Sequence, residues 1–172
     1  MAYDHSGLVD RVKEYKNKAK VLRQIHSNKL RSTERRAMLL DYGTFAASLF
    51  LTFFSVVGVQ QLHGMFFSTH NVKTVEFAFN VIVVAVLVFS FLQIALRLGE
   101  KKVDFLNAVK ALTHFITDLD DILAQQNLSP DDCKALIERL NDKYESLTGI
   151  LPSSSDDDWR EAKQDLAEKS KP

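Results

Sequence analysis

Two uncharged stretches stand out in the pattern of hydrophobic and polar positions along this chain. Residues 42–62 and 77–96 contain no Asp, Glu, Lys or Arg, and only residues 63–76 separate them. A helix of about 20 residues rises roughly 30 Å, which matches the hydrocarbon core of a bilayer. The pattern predicts two membrane-spanning helices, at about 39–62 and 77–98. The alternative, two core helices of a soluble protein, needs more apolar surface around them than the polar remainder of the chain offers.

Basic residues are concentrated outside the two predicted spans rather than in the loop between them. The loop carries one, Lys73, and its His63 and His70 fit solvated side chains better than metal ligands. Because positive charge is retained on the cytoplasmic side of a membrane, both termini are expected in the cytoplasm. Nine basic residues lead into the first span or follow the second: Arg23, Lys29, Arg31, Arg35, Arg36, Arg97, Lys101, Lys102 and Lys110.

Apolar residues recur in steps of three and four on both sides of this transmembrane region. Residues 1–37 are predicted to form a basic amphipathic helix, which could lie on anionic headgroups or pack on a partner. No Gly or Pro occurs between Glu100 and Gln126, so we expect the second span to continue into the cytosol as one long helix. Ser129 and Pro130 suit the start of another helix, and Gly149 followed by Pro152 suits its end.

These elements predict an all-α membrane protein. It consists of an N-terminal amphipathic helix (1–37), a two-span transmembrane hairpin (38–98), a cytosolic helical hairpin or coiled coil (99–151), and a polar linker with a short C-terminal helix (152–172). Trp159 lies either on a solvated tail or on an anchor for another subunit or partner. An apolar seam on the cytosolic helices is predicted to join copies into a homo-oligomer: Phe105, Val109, Leu112, Ile116, Leu119, Leu123, Ile137, Leu140 and Tyr144.

The sequence contains none of the patterns that usually mark an enzyme. It has no paired nucleophile and base, no glycine-rich phosphate loop and no metal-ligand spacing, so we expect no catalysis, cofactor, bound metal or direct nucleic acid binding. Asp118, Asp120 and Asp121 fit a solvated helix face better than a divalent-ion site. The single cysteine, Cys133, fits a small core residue.

A stripe of polar residues lies on one face of the first predicted span. Such a stripe has two possible uses. The hydroxyls could bond carbonyls of their own helix, or allow close helix packing beside Gly43 and Ala47. Alternatively they could line a water-filled path in an oligomer, with an acidic ring at its cytosolic mouth. In the second span, Asn80, Ser90 and Gln93 are expected to bond across to another helix. The stripe consists of Asp41, Thr44, Ser48, Thr52 and Ser55.

The order of these parts resembles that of the SLATT family. The residues that carry the resemblance are the basic runs 31–36 and 97–102 and the segment from Lys143 and Tyr144 to Leu151 and Pro152. The resemblance implies a bacterial anti-phage effector that breaches the inner membrane when a sensor protein or a nucleotide signal triggers it. The sequence shows no nucleotide-binding motif, so sensing would belong to a partner or to a groove formed on assembly. The alternative function is a membrane-anchored coiled-coil scaffold that recruits a soluble partner.

Overall fold

The computed structural model describes residues 5–58, 61, 72–125 and 129–169, and these residues are helical apart from short connections. The all-α prediction is confirmed for this part of the chain. The loop between the two apolar stretches, with His63 and His70, lies largely outside the described residues. The helices are α1 (His5–Val57), α2 (Val72–Leu96), α3 (Leu98–Ala124), α4 (Pro130–Ile150) and α5 (Asp156–Lys169).

The first helix, α1, is uninterrupted over 53 residues and includes both the basic amphipathic segment and the first apolar stretch. It ends at Val57, five residues before the predicted end of the span. Gly58 follows with a φ of 79°, and its N–H donates to the carbonyl of Phe54 at 3.0 Å. This left-handed glycine is a common helix terminator. Residues 39–57 rise about 28 Å, which still matches a bilayer core.

The second apolar stretch was expected to continue into the next segment as one unbroken helix. The helix is instead interrupted at Arg97. This residue has a φ of 46°, and its N–H donates to the carbonyl of Ile94 at 3.3 Å. A left-handed conformation costs a non-glycine residue roughly 1–2 kcal/mol, so the interruption is a specific local feature rather than a frayed end. The Arg97 guanidinium lies 3.5 Å from the Glu100 carboxylate, and both are too exposed for that pair to offset the cost.

The chain divides into two compact units. The bundle unit comprises Met1–Ser32 and Lys101–Pro172, and the paired-helix unit comprises Thr33–Glu100. The bundle unit is therefore discontinuous in sequence, because it takes segments from before and after the paired helices.

The hydrophobic core of the bundle unit draws on four helices. The largest fully buried side chains include Leu8 and Ile25 of α1, Leu112 and Phe115 of α3, and Cys133 of α4, and Ala162 of α5 is also fully buried. Cys133 is a core residue, as the sequence predicts.

Contacts between side chains give the directions of these helices. Lys16 pairs with Asp120, and His26 stacks on Phe105, so α1 and α3 run antiparallel. The Lys143 ammonium lies 2.5 Å from Asp118, while the Phe115 and Tyr144 ring centroids lie 6.0 Å apart. Ile122 of α3 and Leu136 of α4 line one groove beside this contact, so residue numbers rise along α3 as they fall along α4, and the two helices run antiparallel. Since both α1 and α4 are antiparallel to α3, they are parallel to each other.

The start of α4 follows the predicted turn residues, whereas its end does not. Ser129 is the N-cap, with its hydroxyl accepting the N–H of Asp132 at 3.2 Å, and Pro130 occupies the first turn, as predicted. Gly149 does not end the helix, which continues to Ile150. The stop comes from Pro152, because the residue before a proline favours extended backbone, and Leu151 has a ψ of 144°.

Candidate functional site

The two apolar helices of the paired-helix unit contact each other at three successive levels. Gln93 of α2 hydrogen-bonds Asp41 of α1, with 3.0 Å between Nε2 and Oδ1. A Cβ placed on Gly43 would lie 3.8 Å from Cε2 of Phe89. The Phe54 and Phe79 ring centroids are 5.7 Å apart. Residue numbers rise along α1 as they fall along α2, so the two helices pack antiparallel.

Small and aromatic side chains share this contact face. On α1 the half-buried positions include Gly43, Ala47, Leu51 and Phe54, which recur every three or four residues. Packing of this kind, with small residues opposite large ones, is typical of helix pairs in membranes. Gln93 is an interhelical hydrogen-bonding residue, as the sequence predicts.

The other faces of both helices form an apolar belt. The most apolar 18-residue windows, one in α1 and one after Glu76, have mean hydropathies of 1.5 and 2.5, and none of their residues is buried. Both helices are therefore long and apolar enough to cross a membrane. In the bundle unit, by contrast, Val103 and Ile150 are the large apolar side chains that stay exposed among the described residues. The belt includes Leu39, Phe45, Leu49, Phe53 and Val56 of α1 and Phe77, Val84, Leu87, Phe91 and Ile94 of α2.

The predicted polar stripe divides into two groups. Asp41 and Thr44 meet Gln93, whose Nε2 lies 3.3 Å from Oγ1 of Thr44. The Thr44 hydroxyl also donates to the carbonyl of Leu40 at 2.8 Å. Ser48, Thr52 and Ser55 are exposed beside the helix contact, and the Thr52 hydroxyl donates to the carbonyl of Ser48 at 2.9 Å. The local hydrogen bonding foreseen for such hydroxyls is thus present at both threonines.

The apolar seam predicted to join copies lies inside the bundle unit. Its surface is used for contacts within the chain. Assembly itself stays a prediction. Four of the seam residues, Leu112, Ile116, Leu119 and Leu140, are buried, and the other five, Phe105, Val109, Leu123, Ile137 and Tyr144, are half-buried.

Trp159 also packs on its own chain rather than on a free tail. It is half-buried against the bundle core, and its Nε1 donates to Oγ of Ser154 at 3.2 Å. On the same helix, Ala162 is fully buried and Asp165 accepts a hydrogen bond from Asn28 at 2.8 Å. The C-terminal segment is therefore a docked fourth helix rather than a solvated tail, and the role of Trp159 as an anchor for another subunit or partner stays a prediction.

An ion pair fastens the start of α5 to α1. The Lys29 ammonium lies 2.7 Å from the Asp158 carboxylate and donates to the carbonyl of Ser153 at 3.0 Å. Asp158 also accepts the N–H of Ser155 at 2.6 Å. The hydrogen bonds from Lys29 and Ser155 lower the pKa of Asp158 to about 2.

The sequence did not identify His26 as a notable residue. Its side chain is fully buried, and neither ring nitrogen has a hydrogen-bond partner in the described part of the chain. It stacks on Phe105, with 6.1 Å between ring centroids. Burial lowers the pKa of His26, the nearby Lys29 lowers it further, and Asp158 opposes both. Its position four residues after Leu22 and four before Leu30 was the available signal, because that spacing places it on the apolar face.

The acidic run of α3 takes part in contacts between helices. Asp118 pairs with Lys143 and Asp120 pairs with Lys16, while Asp121 is exposed. Within residues 5–58, 61, 72–125 and 129–169, no group of three or more His, Cys, Asp or Glu side chains is arranged to hold a metal ion.

A groove of about 490 Å³ opens on the bundle unit between α3 and the end of α4. It is lined by Asp104, Asn107, Ala108, Ala111 and residues 150–152. Asp104 gives its wall a negative charge, so the groove is a poor fit for a phosphate group.

Comparison of this chain with family models, with curated proteins and with solved structures gives no match.

Proposed function

We propose that this chain is a two-span membrane effector that assembles into a homo-oligomer and opens a pore, or otherwise disrupts the bilayer, when triggered. The observation that carries membrane insertion is the apolar belt of the paired-helix unit. Burying one Leu or Phe side chain is worth about 1.5–3 kcal/mol, and both helices leave many such side chains uncovered. Lipid supplies the missing cover along a length of about 28 Å.

The composition of the bundle unit supports a transmembrane hairpin with both termini on one side. Its core joins Leu8 and Ile25, which precede the spans, to Leu112 and Phe115, which follow them. Two crossings return the chain to the side from which it started, as this shared core requires. The nine flanking bases against the single Lys73 favour the cytoplasm as that side.

The exposed hydroxyls of α1 support a role in conduction. Ser48, Thr52 and Ser55 lie together beside the helix contact, where another copy could face them. Two helices cannot enclose a water-filled path, so a pore needs several copies arranged around that polar face. Asp41 stands at the cytosolic end, where a ring of carboxylates favours cations. Thr44 bonds within the helix pair and serves packing instead.

The resemblance to the SLATT family supports a place in bacterial anti-phage defence at the inner membrane. A separate sensor protein is the more suitable trigger, because the groove of about 490 Å³ on the bundle unit is lined by Asp104 and no lysine or arginine. A nucleotide signal would then act on that sensor rather than on this chain.

A membrane-anchored scaffold is the second candidate. It is favoured by the closed core of the bundle unit, because a folded bundle on a membrane tether can recruit a soluble partner without any pore. In that case the hairpin only anchors, and the hydroxyls of Thr44 and Thr52 need no role beyond their bonds to Leu40 and Ser48.

Ion leakage from liposomes distinguishes these functions. The full-length protein is reconstituted at rising protein-to-lipid ratios, which drives assembly, and flotation establishes insertion. Changing Ser48→Ala, Thr52→Val and Ser55→Ala together removes the hydroxyls at nearly constant volume, and we expect at least tenfold slower leakage. The control changes Leu49→Ile, Phe53→Leu and Val56→Ile on the exposed apolar face. Unchanged leakage in the hydroxyl variant contradicts the lining, and an inserted protein that never leaks supports the scaffold.

A further inference from the structure

One outward face of the bundle unit is a basic stripe on α1, formed by Lys13, Lys20, Arg23 and Arg31. Lys13, Lys20 and Arg31 are exposed and Arg23 is half-buried. Within the described part of the chain, none of the four has a hydrogen-bond or ion-pair partner. Lys13, Lys20 and Arg31 lie opposite the buried face of α1 and extend about 27 Å along the helix, while Arg23 lies at the edge of the buried face. Glu14 does not neutralise the stripe, because Arg11 and Lys18 bind that carboxylate.

A second outward face is an acidic stripe on α4, formed by Asp131, Glu138, Asp142 and Glu145. All four side chains are exposed. As on α1, they have no partner among the described residues. Their spacing of seven, four and three residues places them on one face of the helix, opposite Cys133 and Leu140 in the core.

The two stripes match in spacing as well as in sign. From Lys13, the next bases along α1 follow at about 10.5 Å (Lys20) and 15 Å (Arg23). From Asp131, the acids along α4 follow at about 10.5 Å (Glu138) and 16.5 Å (Asp142). If the two helices lie side by side and parallel, opposite charges meet at three levels.

We propose that the basic stripe of one copy docks on the acidic stripe of the next copy, with the two helices parallel. Within one chain α1 and α4 are parallel, since both run antiparallel to α3. Rotation about an axis along the helices preserves these directions, so α1 of one copy meets α4 of its neighbour in the matching orientation. The proposal rests on the proposed function in one respect: copies that span one bilayer share an axis along its normal.

The stripes determine register and orientation more than strength. Exposed ion pairs are individually weak and are screened by salt, so three of them do not hold two copies together in dilute solution. Confinement in a bilayer raises the effective concentration of the copies, and contacts between their spans add to the same assembly. A head-to-tail contact of this kind uses different faces on the two copies, so it can repeat around a closed ring.

Anionic headgroups are a weaker match for the basic stripe. A helix that lies on a membrane inserts its apolar face into the boundary between headgroups and acyl chains. In α1 that face, with Leu8, Val12 and Ile25, is buried in the core of the bundle unit. A second copy therefore fits the stripe better than a lipid surface does.

Cross-linking between two tagged full-length chains tests the register. Both carry Cys133→Ala, which removes the only native thiol. One chain carries Asn17→Cys, midway between Lys13 and Lys20, and the other carries Ala135→Cys, midway between Asp131 and Glu138. Both positions are exposed. We expect a short bismaleimide to join them in liposomes at least fivefold more efficiently than it joins Asn17→Cys to the control Gly149→Cys, which lies about 21 Å further along α4.

Charge reversal tests the pairing itself. Lys13→Glu with Lys20→Glu on the first chain should lower the cross-link yield at least fivefold, and Asp131→Lys with Glu138→Lys on the second chain should restore it. Raising the salt concentration from 50 to 500 mM should also lower the yield. Failure of the swap to restore cross-linking, or equal yields at Ala135→Cys and Gly149→Cys, overturns the proposal.

Two further readouts separate this proposal from its alternatives. Flotation is scored first: a chain that stays out of liposomes contradicts the proposed function and with it the shared axis. A chain that floats but does not cross-link overturns the interface alone. Adding anionic lipid should leave the yield unchanged. A yield that falls with anionic lipid, together with weaker flotation of the Lys13→Glu and Lys20→Glu chain, assigns the basic stripe to headgroups and overturns the interface between copies.

Discussion

Gln93 on α2 donates a hydrogen bond from Nε2 to Oδ1 of Asp41 on α1 across 3.0 Å. The only acid of the polar stripe is thereby held by an amide of the other apolar helix. The same amide nitrogen lies 3.3 Å from Oγ1 of Thr44, so one side chain serves two acceptors at the end of the helix pair. The bond fixes the level at which the two helices meet.

Removing this amide should loosen the helix pair. Gln93→Leu leaves the Asp41 carboxylate without its donor, and interhelical hydrogen bonds in membranes are worth about 0.6–2 kcal/mol. We expect hydrogen exchange of the α2 amides in a lipid nanodisc to quicken roughly threefold to thirtyfold. The matched control is Asn80→Leu, since Asn80 is exposed on the same helix and has no hydrogen-bond partner among the described residues. Equal effects of the two changes would show that the bond to Asp41 contributes nothing.

Gly43 should tolerate a methyl group but not a larger side chain. A Cβ at this position meets Cε2 of Phe89 at 3.8 Å, which is an ordinary van der Waals contact. Alanine in a helix interior is favoured over glycine by about 0.5–1 kcal/mol, so Gly43→Ala should slow the exchange of α2 amides slightly. Gly43→Leu should quicken it, because over-packing costs about 1–3 kcal/mol. Destabilisation by alanine would mean that the helices approach more closely than the structure shows.

Acid should destabilise the bundle unit through His26. The pKa of this buried imidazole is lowered by desolvation and by Lys29, against the opposing Asp158, while Phe105 offers it no charge. Between its ordinary pKa of 6.5 and the lowered folded value, the unfolded chain binds more protons than the folded one. Stability is therefore fully present above about pH 6.5 and falls as the pH decreases through that window.

The measurement for His26 is urea unfolding at pH 7.5 and 5.5, followed by the fluorescence of the single tryptophan, Trp159. His26→Phe keeps a ring against Phe105 and should abolish most of the loss between the two pH values. His114→Phe is the control, because His114 is exposed on α3. The prediction fails if the native chain and the His26→Phe chain lose equal stability.

The docking of α5 should depend more on Ala162 than on its ion pair. Lys29→Ala removes one partly exposed pair, worth at most about 1 kcal/mol, and should leave the helix docked. Ala162→Glu places a carboxylate in the core and should release it, with a red shift of Trp159 fluorescence and protease cleavage in residues 152–169. Lys163→Glu, one residue further on and exposed, should have neither effect. A docked helix in the Ala162→Glu chain would contradict the burial of this residue.

The acid response of this ion pair is distinct from that of His26. Because the pKa of Asp158 is lowered to about 2 from an ordinary 3.8, its contribution is present above about pH 4 and is lost as the pH falls through 2. The Asp158→Asn chain lacks this carboxylate, so it should not show the corresponding loss of stability at low pH. Urea unfolding at pH 5 and 3 measures it, and an unchanged difference between the two pH values would rule out the pair.

Periodicity predicted which faces of α3 and α4 are apolar, but not what covers them. Leu112, Leu119 and Leu140 were identified from steps of three and four, and all are buried. The same steps arise whether a face meets another copy or another helix of its own chain, so the assignment to contacts between copies had no local support. The contact with α1 that covers part of this face joins residues about 100 positions apart, which local periodicity does not reach.

Local chemistry predicted the start of α4 better than the breaks in the long helices. Ser129 and Pro130 start the helix through contacts within a single turn, so the sequence alone predicts this start. The interruption at Arg97 leaves no such mark, because arginine is a good helix former. The docking of α5 was missed for a related reason: its contacts, such as Asp165 with Asn28, join residues that are distant in sequence. The hydrogen bond of Gln93 was foreseen because an amide in an apolar helix needs a partner.

The discontinuous bundle unit imposes an order on biosynthesis. Its first segment, Met1–Ser32, leaves the ribosome long before its partners beyond Lys101 have been translated. The apolar face that carries Leu8 and Ile25 therefore remains without its native cover while residues 33–100 are translated. A nascent chain that fails to bring both ends back together cannot close this core. Until the bundle closes, the exposed apolar face makes the nascent chain prone to aggregation.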